Sequence, residues 1–232
     1  MVTDSRFISR SKVKAPARNI VFEHCDWRKL PQGDPATLAI INPTWKYTQQ
    51  FGAGNATADP YALKQLTPAD IMRELDAIAE QRMASASRIL LWIPIPQLWT
   101  LNGWAPKGFK YKTGGTWVKS REGDQGHYGQ GYHWAGCAEF AAMFTRGAPP
   151  NDRKVPLRNA WVEAPSGGAR KPEGWLEKWM LRWTEPQHTV FDPWAGLAPT
   201  ITACIRTGRK CLAAEPNAKR YEAGLELVAA GV

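Results

Sequence analysis

The residues that first suggest chemistry are Asn42-Pro43-Thr44-Trp45, which directly follow a short apolar run. The side-chain oxygen of Asn42 and the carbonyl oxygen of Pro43 can accept both N–H groups of an amine attached to an aromatic base. Holding both hydrogens biases the nitrogen toward tetrahedral geometry and frees its lone pair for attack. The indole of Trp45 can stack on a flipped base and hold it at attack distance. The alternative is an Asn-Pro turn followed by a core tryptophan.

A second segment with chemical potential is FDPWAGLAPT, residues 191–200, which follows a predicted strand and opens a predicted helix. Glu215 ends the next predicted strand. This arrangement is typical of a nucleotide-binding β-α-β unit, in which small residues let the backbone approach the ligand and an acid accepts hydrogen bonds from ribose hydroxyls. Gly196 is the only glycine of the segment, so a structural turn between strand and helix is an equal alternative.

The second segment resembles the D-P-F-x-G-S-G-T-T cofactor motif of amino-group DNA methyltransferases, which bind S-adenosylmethionine. It departs from that motif at Leu197, Ala198 and Pro199. The K-P element that lies one helix upstream in that family is matched by Lys171-Pro172. The resemblance implies a set of residues around S-adenosylmethionine, namely Lys171, Pro172, Asp192, Pro193, Trp194, Ala195, Gly196, Glu215 and Asn217.

The first segment resembles the [DNS]-P-P-[YFW] catalytic tetrad of the same enzymes, with Thr44 in place of the second proline. The stretches NPTWKY, LLWIP, GFKYKTGGTWVK and GQGYHWAGCAEFAAMFTRG follow in order. They are similar to the adenine-N6 methyltransferase family whose eukaryotic members modify messenger RNA and whose phage and bacterial members modify DNA. That family has D-P-P-W, so Asn42 is a second departure. The resemblance covers residues 37 to about 229 and has the catalytic-before-cofactor order of the β class. It implies that Asn42, Pro43, Thr44 and Trp45 are catalytic.

The composition favours a polyanionic partner. Thirty Lys and Arg against 21 Asp and Glu give a net charge of +9, and 12 of the 232 residues are Trp. Phosphate contacts release counterions, and indoles stack on unpaired bases. For any one Trp or Lys, however, a core position or a solvated face is the alternative reading. The candidate nucleic-acid contacts are Lys46, Tyr61, Lys107, Lys110, Lys112, Lys119, Arg121 and His133.

Strands and helices that alternate along the chain must position these segments. The patterns predict strands at 37–41, 88–93, 116–119, 137–145, 189–192 and 209–215, and helices at 67–83, 172–183, 199–207 and 218–229. This order predicts an α/β, Rossmann-like methyltransferase fold: a mostly parallel twisted sheet with helices on both faces and an antiparallel edge hairpin. We expect a basic arm at 1–30, one domain at 31–232, and recognition loops at about 46–66 and 104–170.

These features together predict methyl transfer from S-adenosylmethionine to the N6 amine of a flipped adenine in DNA. Cytosine-N4 and RNA adenine-N6 methylation remain alternatives, as does a catalytically silent nucleic-acid-binding protein on the same fold. The four cysteines have no C-x-x-C spacing, so we expect no metal site. No apolar run is long enough to span a bilayer, so we expect no membrane association. We expect a cytoplasmic bacterial or phage protein with DNA as its partner, and a homodimer is left open.

Overall fold

The computed structural model describes residues 19–46, 65–119, 138–164 and 170–231. Within these ranges the strands are β1 (Ile20–Glu23), β2 (Ala36–Ile41), β3 (Met83–Pro94), β4 (Lys110–Val118), β5 (Ala138–Arg146), β6 (Ala160–Val162), β7 (Thr189–Asp192) and β8 (Lys210–Ala214). The α-helices of the same ranges are α1 (Pro68–Gln81), α2 (Glu173–Trp183), α3 (Pro199–Thr207) and α4 (Ala218–Gly231).

The described strands form one sheet in the order β1-β8-β7-β2-β3-β5-β4-β6. The first five strands of that order are mutually parallel. Strand β5 is antiparallel to both β3 and β4, and β6 is parallel to β4. The predicted mostly parallel sheet is therefore confirmed. The predicted antiparallel hairpin is present as the β4–β5 pair, but β6 adds beyond β4, so this pair is not the edge of the sheet.

Local sequence explains why the central elements form. All six residues of β2 and all four of β7 are buried, as expected for short apolar strands covered on both faces. Helix α1 begins at a capping box, in which Thr67 accepts from the backbone of Asp70 and the Asp70 side chain accepts from the backbone of Thr67. Its apolar residues recur at helical spacing and face the sheet.

Helices cover both faces of the sheet. Helix α1 packs with Trp27 and Trp45 on one face. Helices α2, α3 and α4 pack on the other face, where Trp92 contacts a row of tryptophans from α2. Most tryptophans among the described residues are thus core residues, which is the alternative that the sequence analysis left open for each of them.

Two expectations about loops differ from the structure. Residues 20–23 of the predicted basic arm 1–30 form strand β1, which pairs in parallel with β8 and extends the sheet. Strand β6 lies inside the predicted recognition-loop region 104–170, and it pairs with β4. None of the helices in the described ranges is long and apolar enough to cross a bilayer.

Candidate active site

The two segments with chemical potential follow neighbouring parallel strands. Strands β2 and β7 pair directly, so their carboxyl ends lie side by side at one edge of the sheet. From β2 the chain continues through α1 to β3 on one side, and from β7 it continues through α3 to β8 on the other. Such a reversal of strand order opens a crevice at the carboxyl ends of the strands, where open α/β sheets bind ligands.

The segment after β2 is fixed by hydrogen bonds on both sides. The backbone N–H of Lys46 donates to the Leu66 carbonyl at 2.8 Å, and the N–H of Leu66 donates to the Thr44 carbonyl at 2.7 Å. The Trp45 indole N–H donates to the Trp92 carbonyl at 2.9 Å. Asn42 is half-buried at the start of the segment and Pro43 is buried. Asn42 therefore begins, at the carboxyl end of β2, a segment whose later residues are held by Leu66 and Trp92.

The environment of Trp45 differs from that of an open stacking surface. Only 4% of its surface is exposed, and the ring belongs to the core under α1. In this structure Trp45 supports the segment from below. Its assignment as the ring that stacks on a flipped base stays a prediction.

The segment after β7 forms a tight turn around a buried carboxylate. The N–H of Ala195 donates to the Ala214 carbonyl at 2.9 Å. Glu215 accepts from the N–H of Gly196 through Oε2 and from the N–H of Asn217 through Oε1, both at 2.8 Å. The Asn217 side-chain oxygen accepts from the N–H of Arg220 at 3.0 Å and caps α4. These bonds bring the turn, the end of β8 and the start of α4 into one structure.

Two buried acids stand at the base of this turn. Burial raises the pKa of Asp192 to about 7, against the lowering effects of hydrogen bonds from the Thr200 side chain and the Trp194 N–H. The Trp194 N–H donates to Asp192 Oδ1 at 3.1 Å. Burial also raises the pKa of Glu215, although the N–H groups of Asn217 and Gly196 oppose the shift. Pro193 and Ala195 are buried beside them and Trp194 is half-buried.

The turn contains backbone strain at Ala198. This residue is fully buried and has a φ of 58°, in the left-handed region that costs an L-residue about 1–2 kcal/mol. It stands where the methyltransferase motif has its second glycine. Helix α4 packs closely on the same turn, because a Cβ on Gly224 would lie 3.0 Å from the Gly196 carbonyl oxygen. Strained, tightly packed backbone of this kind is concentrated at ligand sites.

Lys171 lies in a buried cluster of charges at the same edge of the sheet. Its ammonium group pairs with Glu139 of β5, and Lys119 pairs with the other oxygen of Glu139 at 2.5 Å. The Lys171 ammonium also lies 5.1 Å from the ring centroid of Trp92. Burial lowers the pKa of Lys171, against the opposing effect of Glu139. Burial alone would raise the pKa of Glu139, but the two lysines outweigh it and lower that pKa.

Two residues that the sequence predicted to bind ligands, Lys119 and Pro172, are buried in or beside this cluster. Lys119, predicted to contact phosphate, is largely buried and pairs with Glu139. Pro172, beside Lys171, is buried at the start of α2. Glu139 was missed by the sequence analysis, although a single acid within the apolar stretch CAEFAAMFT was a signal for it. Lys171 is within electrostatic reach of Arg220, which also acts on Glu215, so the cluster adjoins the turn after β7.

The other predicted nucleic-acid contacts are dispersed. Lys46 is exposed at the end of the segment that follows β2. Lys110 of β4 pairs with Thr145 of β5, and Thr145 in turn pairs with Arg88 of β3. This register places Lys110 and its neighbour Lys112 away from the carboxyl ends of the parallel strands. The Lys107 N–H donates to Asp76 at 2.8 Å, and its ammonium group pairs with Glu80 of α1. The structure does not bring these three lysines to the crevice. The remaining candidates lie outside the described residues: Tyr61, Arg121 and His133.

An exposed tryptophan at the crevice edge was also missed. Trp99 is 90% exposed, in a 3₁₀ helix (Ile95–Leu101) that begins where β3 ends at its carboxyl edge. The Gln97 side-chain amide donates to the Lys46 carbonyl at 3.3 Å and ties this helix to the segment after β2. The sequence around Trp99 did not distinguish an exposed ring from a core one, and only the fold shows that this ring faces solvent.

Comparisons with solved structures identify the fold. M1.HpyAVI in complex with SAM superposes with a TM-score of 0.63 at 16% identity, covering 90% of this chain and 99% of that chain. TTHA0409 of Thermus thermophilus, complexed with S-adenosyl-L-methionine, gives 0.60 at 16% identity, covering 92% and 96%. The cytosine-N4-specific PvuII DNA methyltransferase gives 0.63 at 14% identity, covering 92% and 94%. No protein-family model matches the chain, and neither does any curated protein. The predicted Rossmann-like methyltransferase fold is thus confirmed over nearly the whole chain.

Proposed function

We propose that this protein transfers a methyl group from S-adenosylmethionine to an exocyclic amine of a base in DNA, with adenine N6 as the first candidate. The observation that carries the proposal is the position of Asn42 beside the turn after β7. Asn42 and this turn follow the carboxyl ends of the adjacent strands β2 and β7, and the turn is held by Glu215. The neighbouring structures include a DNA methyltransferase and two proteins complexed with S-adenosylmethionine. The fold alone would not define the reaction, so the argument rests on these residues.

The residues of the turn fit S-adenosylmethionine. Glu215 is a buried carboxylate whose two oxygens are oriented by backbone N–H groups, and each oxygen can accept a further hydrogen bond, as from a ribose hydroxyl. Small residues at Ala195 and Gly196 let a nucleoside approach the backbone. When bound, S-adenosylmethionine supplies a methyl group on a positively charged sulfur. The residues that would hold it are those of the turn, with Glu215 on the ribose.

The catalytic segment suits an amine that is poorly nucleophilic. The Asn42 side-chain oxygen and the Pro43 carbonyl would accept the two N–H groups and favour a tetrahedral nitrogen. A general base is not needed at the start, because the amine becomes acidic only once it is methylated. The hydrogen bonds from Lys46 and Leu66 keep the segment rigid, so the acceptors are oriented before the base arrives.

The target base would leave its stack to reach these acceptors. Trp99 offers an exposed indole at the crevice edge, and exposed Lys46 offers a positive charge next to it. Base–indole stacking contributes about 1–3 kcal/mol per base. We therefore include Trp99 with Lys46 as DNA contacts, while Trp45 supports the segment from the core.

Cytosine N4 is the second candidate target, since its amine makes the same demand on Asn42 and Pro43. The PvuII enzyme, which is cytosine-N4-specific, gives the same TM-score as M1.HpyAVI in complex with SAM. The test is methyl transfer from labelled S-adenosylmethionine into unmethylated duplex DNA, single-stranded DNA and RNA, followed by nucleoside mass spectrometry. N6-methyladenine in DNA supports the proposal. N4-methylcytosine in DNA, or a methylated nucleoside in RNA, would mean that the target base or nucleic acid is a different one. If no methyl group is incorporated and S-adenosylmethionine does not bind, a catalytically silent nucleic-acid-binding protein is favoured.

A further inference from the structure

A separate cavity of about 470 Å³ lies on the α2 face of the sheet. Its floor comes from β3, β4 and β5, and its walls come from α2 and the segment 147–159. Arg88 and Thr145, which are paired in the sheet, line it. None of the described residues that line the cavity belongs to the segment after β2 or to the turn after β7. The cavity is therefore distinct from the candidate active site.

One wall of the cavity is aromatic. Trp175, Trp179 and Trp183 follow one another along α2, with ring centroids 4.6 Å apart in the first pair and 6.1 Å apart in the second. All three line the cavity, together with Leu90 and Met143. Trp183 is 8% exposed, Trp179 2% and Trp175 1%, so this wall gives the cavity an apolar side but no open stacking face.

The charge around the cavity is uniformly positive. No acidic residue of the described ranges lines it, and four cations do: Arg88, Lys112, Arg158 and Arg182. Among the described residues, none of the four forms an ion pair, as the ion pairs of this part of the chain all lie elsewhere. A concave site with cations and apolar walls concentrates positive potential and attracts an anion.

Two buried donors in the lining have no partner within the part of the chain that the structure describes. Arg88 donates from Nη1 to the Pro150 carbonyl at 2.5 Å, but its Nε has no acceptor there. The Trp175 indole N–H also lacks an acceptor in the described structure. Burial, together with the charge of Arg182, lowers the pKa of Arg88 to about 10. Both of these donor atoms have almost no exposed surface, so what a bound anion would compensate is the charge of the cations that line the cavity.

We propose that this cavity binds a phosphate monoester such as a nucleoside monophosphate, with the phosphate among the cations and the organic group toward the apolar side formed by α2. The volume falls in the usual range for small-molecule pockets, about 300–1,000 Å³. A phosphate ester can come from a free nucleotide or from the end of a DNA strand, and the chemistry recognised is the same. The proposal does not depend on the proposed methyl transfer, because it uses none of the residues of the crevice.

Isothermal titration calorimetry with dAMP tests the proposal, with deoxyadenosine, inorganic phosphate and a 5′-phosphorylated oligonucleotide as comparison ligands. Lys112→Ala and Arg158→Ala remove exposed charges from the lining, so the fold should be unaffected. Lys110→Ala on the same strand and Arg153→Ala on the same segment remove exposed charges outside the lining and serve as matched controls.

The expected result is that dAMP binds more tightly than deoxyadenosine, and that each lining variant weakens dAMP binding about tenfold while the controls do not. An oligonucleotide that competes with dAMP would identify a strand end as the natural source of the phosphate. Equal binding of dAMP and deoxyadenosine would overturn the proposal, and so would equal affinities for lining variants and controls. If dAMP does not bind, the proposal is also wrong. Loss of methyl transfer activity would not affect this test.

Discussion

Replacing Glu139 with Gln should destabilise the protein strongly, because Glu139 is the only carboxylate that pairs with the two buried lysines in the described structure. Lys119 and Lys171 approach opposite oxygens of this one side chain. With the charge of Glu139 removed, two ammonium groups face each other in a largely buried site. The substitution hardly changes the side-chain volume, so electrostatics rather than packing should dominate the effect.

The size of the effect follows from the number of charges left unpaired. Removing one partner of a buried ion pair costs about 3–5 kcal/mol. By contrast, Lys119→Met leaves Glu139 and Lys171 as a neutral pair and should cost about 1.5–3 kcal/mol, the usual value of a hydrogen bond to a charged group. The double variant Glu139→Gln/Lys119→Met leaves only Lys171 charged, so its cost should fall between those of the two single variants.

Urea-induced unfolding of the three variants measures these differences, and thermal unfolding gives a second reading. For a chain of this length 1 kcal/mol corresponds to about 2–4 °C in Tm. The pH dependence gives an independent check on the cause. The folded-state pKa of Lys171 is lowered, so the folded state binds fewer protons there than the unfolded state, and stability rises with pH up to the unfolded value of about 10.4. Glu139→Gln should lower that pKa further and steepen the rise.

The reasoning would be refuted if Glu139→Gln and Lys119→Met cost the same, or if Glu139→Gln cost less than about 1 kcal/mol. It would also be refuted if the cost of Glu139→Gln were the same at neutral and alkaline pH. Any of these three results would mean that water screens the cluster and that the ion pair with Glu139 does not hold Lys171.

Three further predictions concern the crevice. Glu215→Gln places an amide donor against backbone N–H groups, so S-adenosylmethionine binding should weaken about tenfold or more in calorimetry, and an unchanged affinity would argue against the assigned cofactor site. Trp99→Ala should weaken DNA binding about tenfold in a fluorescence anisotropy titration while the free energy of unfolding stays constant, and equal DNA affinity would exclude a contact. The raised pKa of Asp192 means that the folded state retains a proton that the unfolded state loses, so stability falls as pH rises from about 4 to about 7. Asp192→Asn should reduce that fall in urea unfolding measured across this range, and an unaltered slope would contradict the burial argument.

The sequence was a good guide to the elements whose signals are local. The apolar run before Asn42 and the Thr67 capping box predicted β2 and the start of α1, and both are present. The order of strands and helices predicted a mostly parallel sheet. Because parallel strands share one carboxyl edge, the juxtaposition of the two chemical segments followed from the fold class.

What the sequence could not reveal depends on tertiary context. Strand β1 has only four residues and lies in a basic stretch, so its pairing with β8 left no periodic signal. The sequence left open whether Trp45 and Trp99 are buried or exposed, because solvent access is set by which elements pack above each ring. Lys119 looks like a surface cation in the sequence, and only the fold brings Glu139 of β5 into an ion pair with it.

The central claim is that Asn42 orients an amine in the crevice beside the cofactor turn. The most direct test is the initial rate of methyl transfer into DNA by Asn42→Ala at saturating S-adenosylmethionine, with cofactor affinity measured on the same preparation. The proposal predicts a rate lower by about a hundredfold, because oriented polar groups at the reacting centre contribute on that scale, with cofactor affinity unchanged. Asn42→Asp, which keeps the acceptor oxygen, should retain activity. A rate for Asn42→Ala equal to that of the native protein, or no methylated nucleoside from the native protein on any nucleic acid, would contradict the claim.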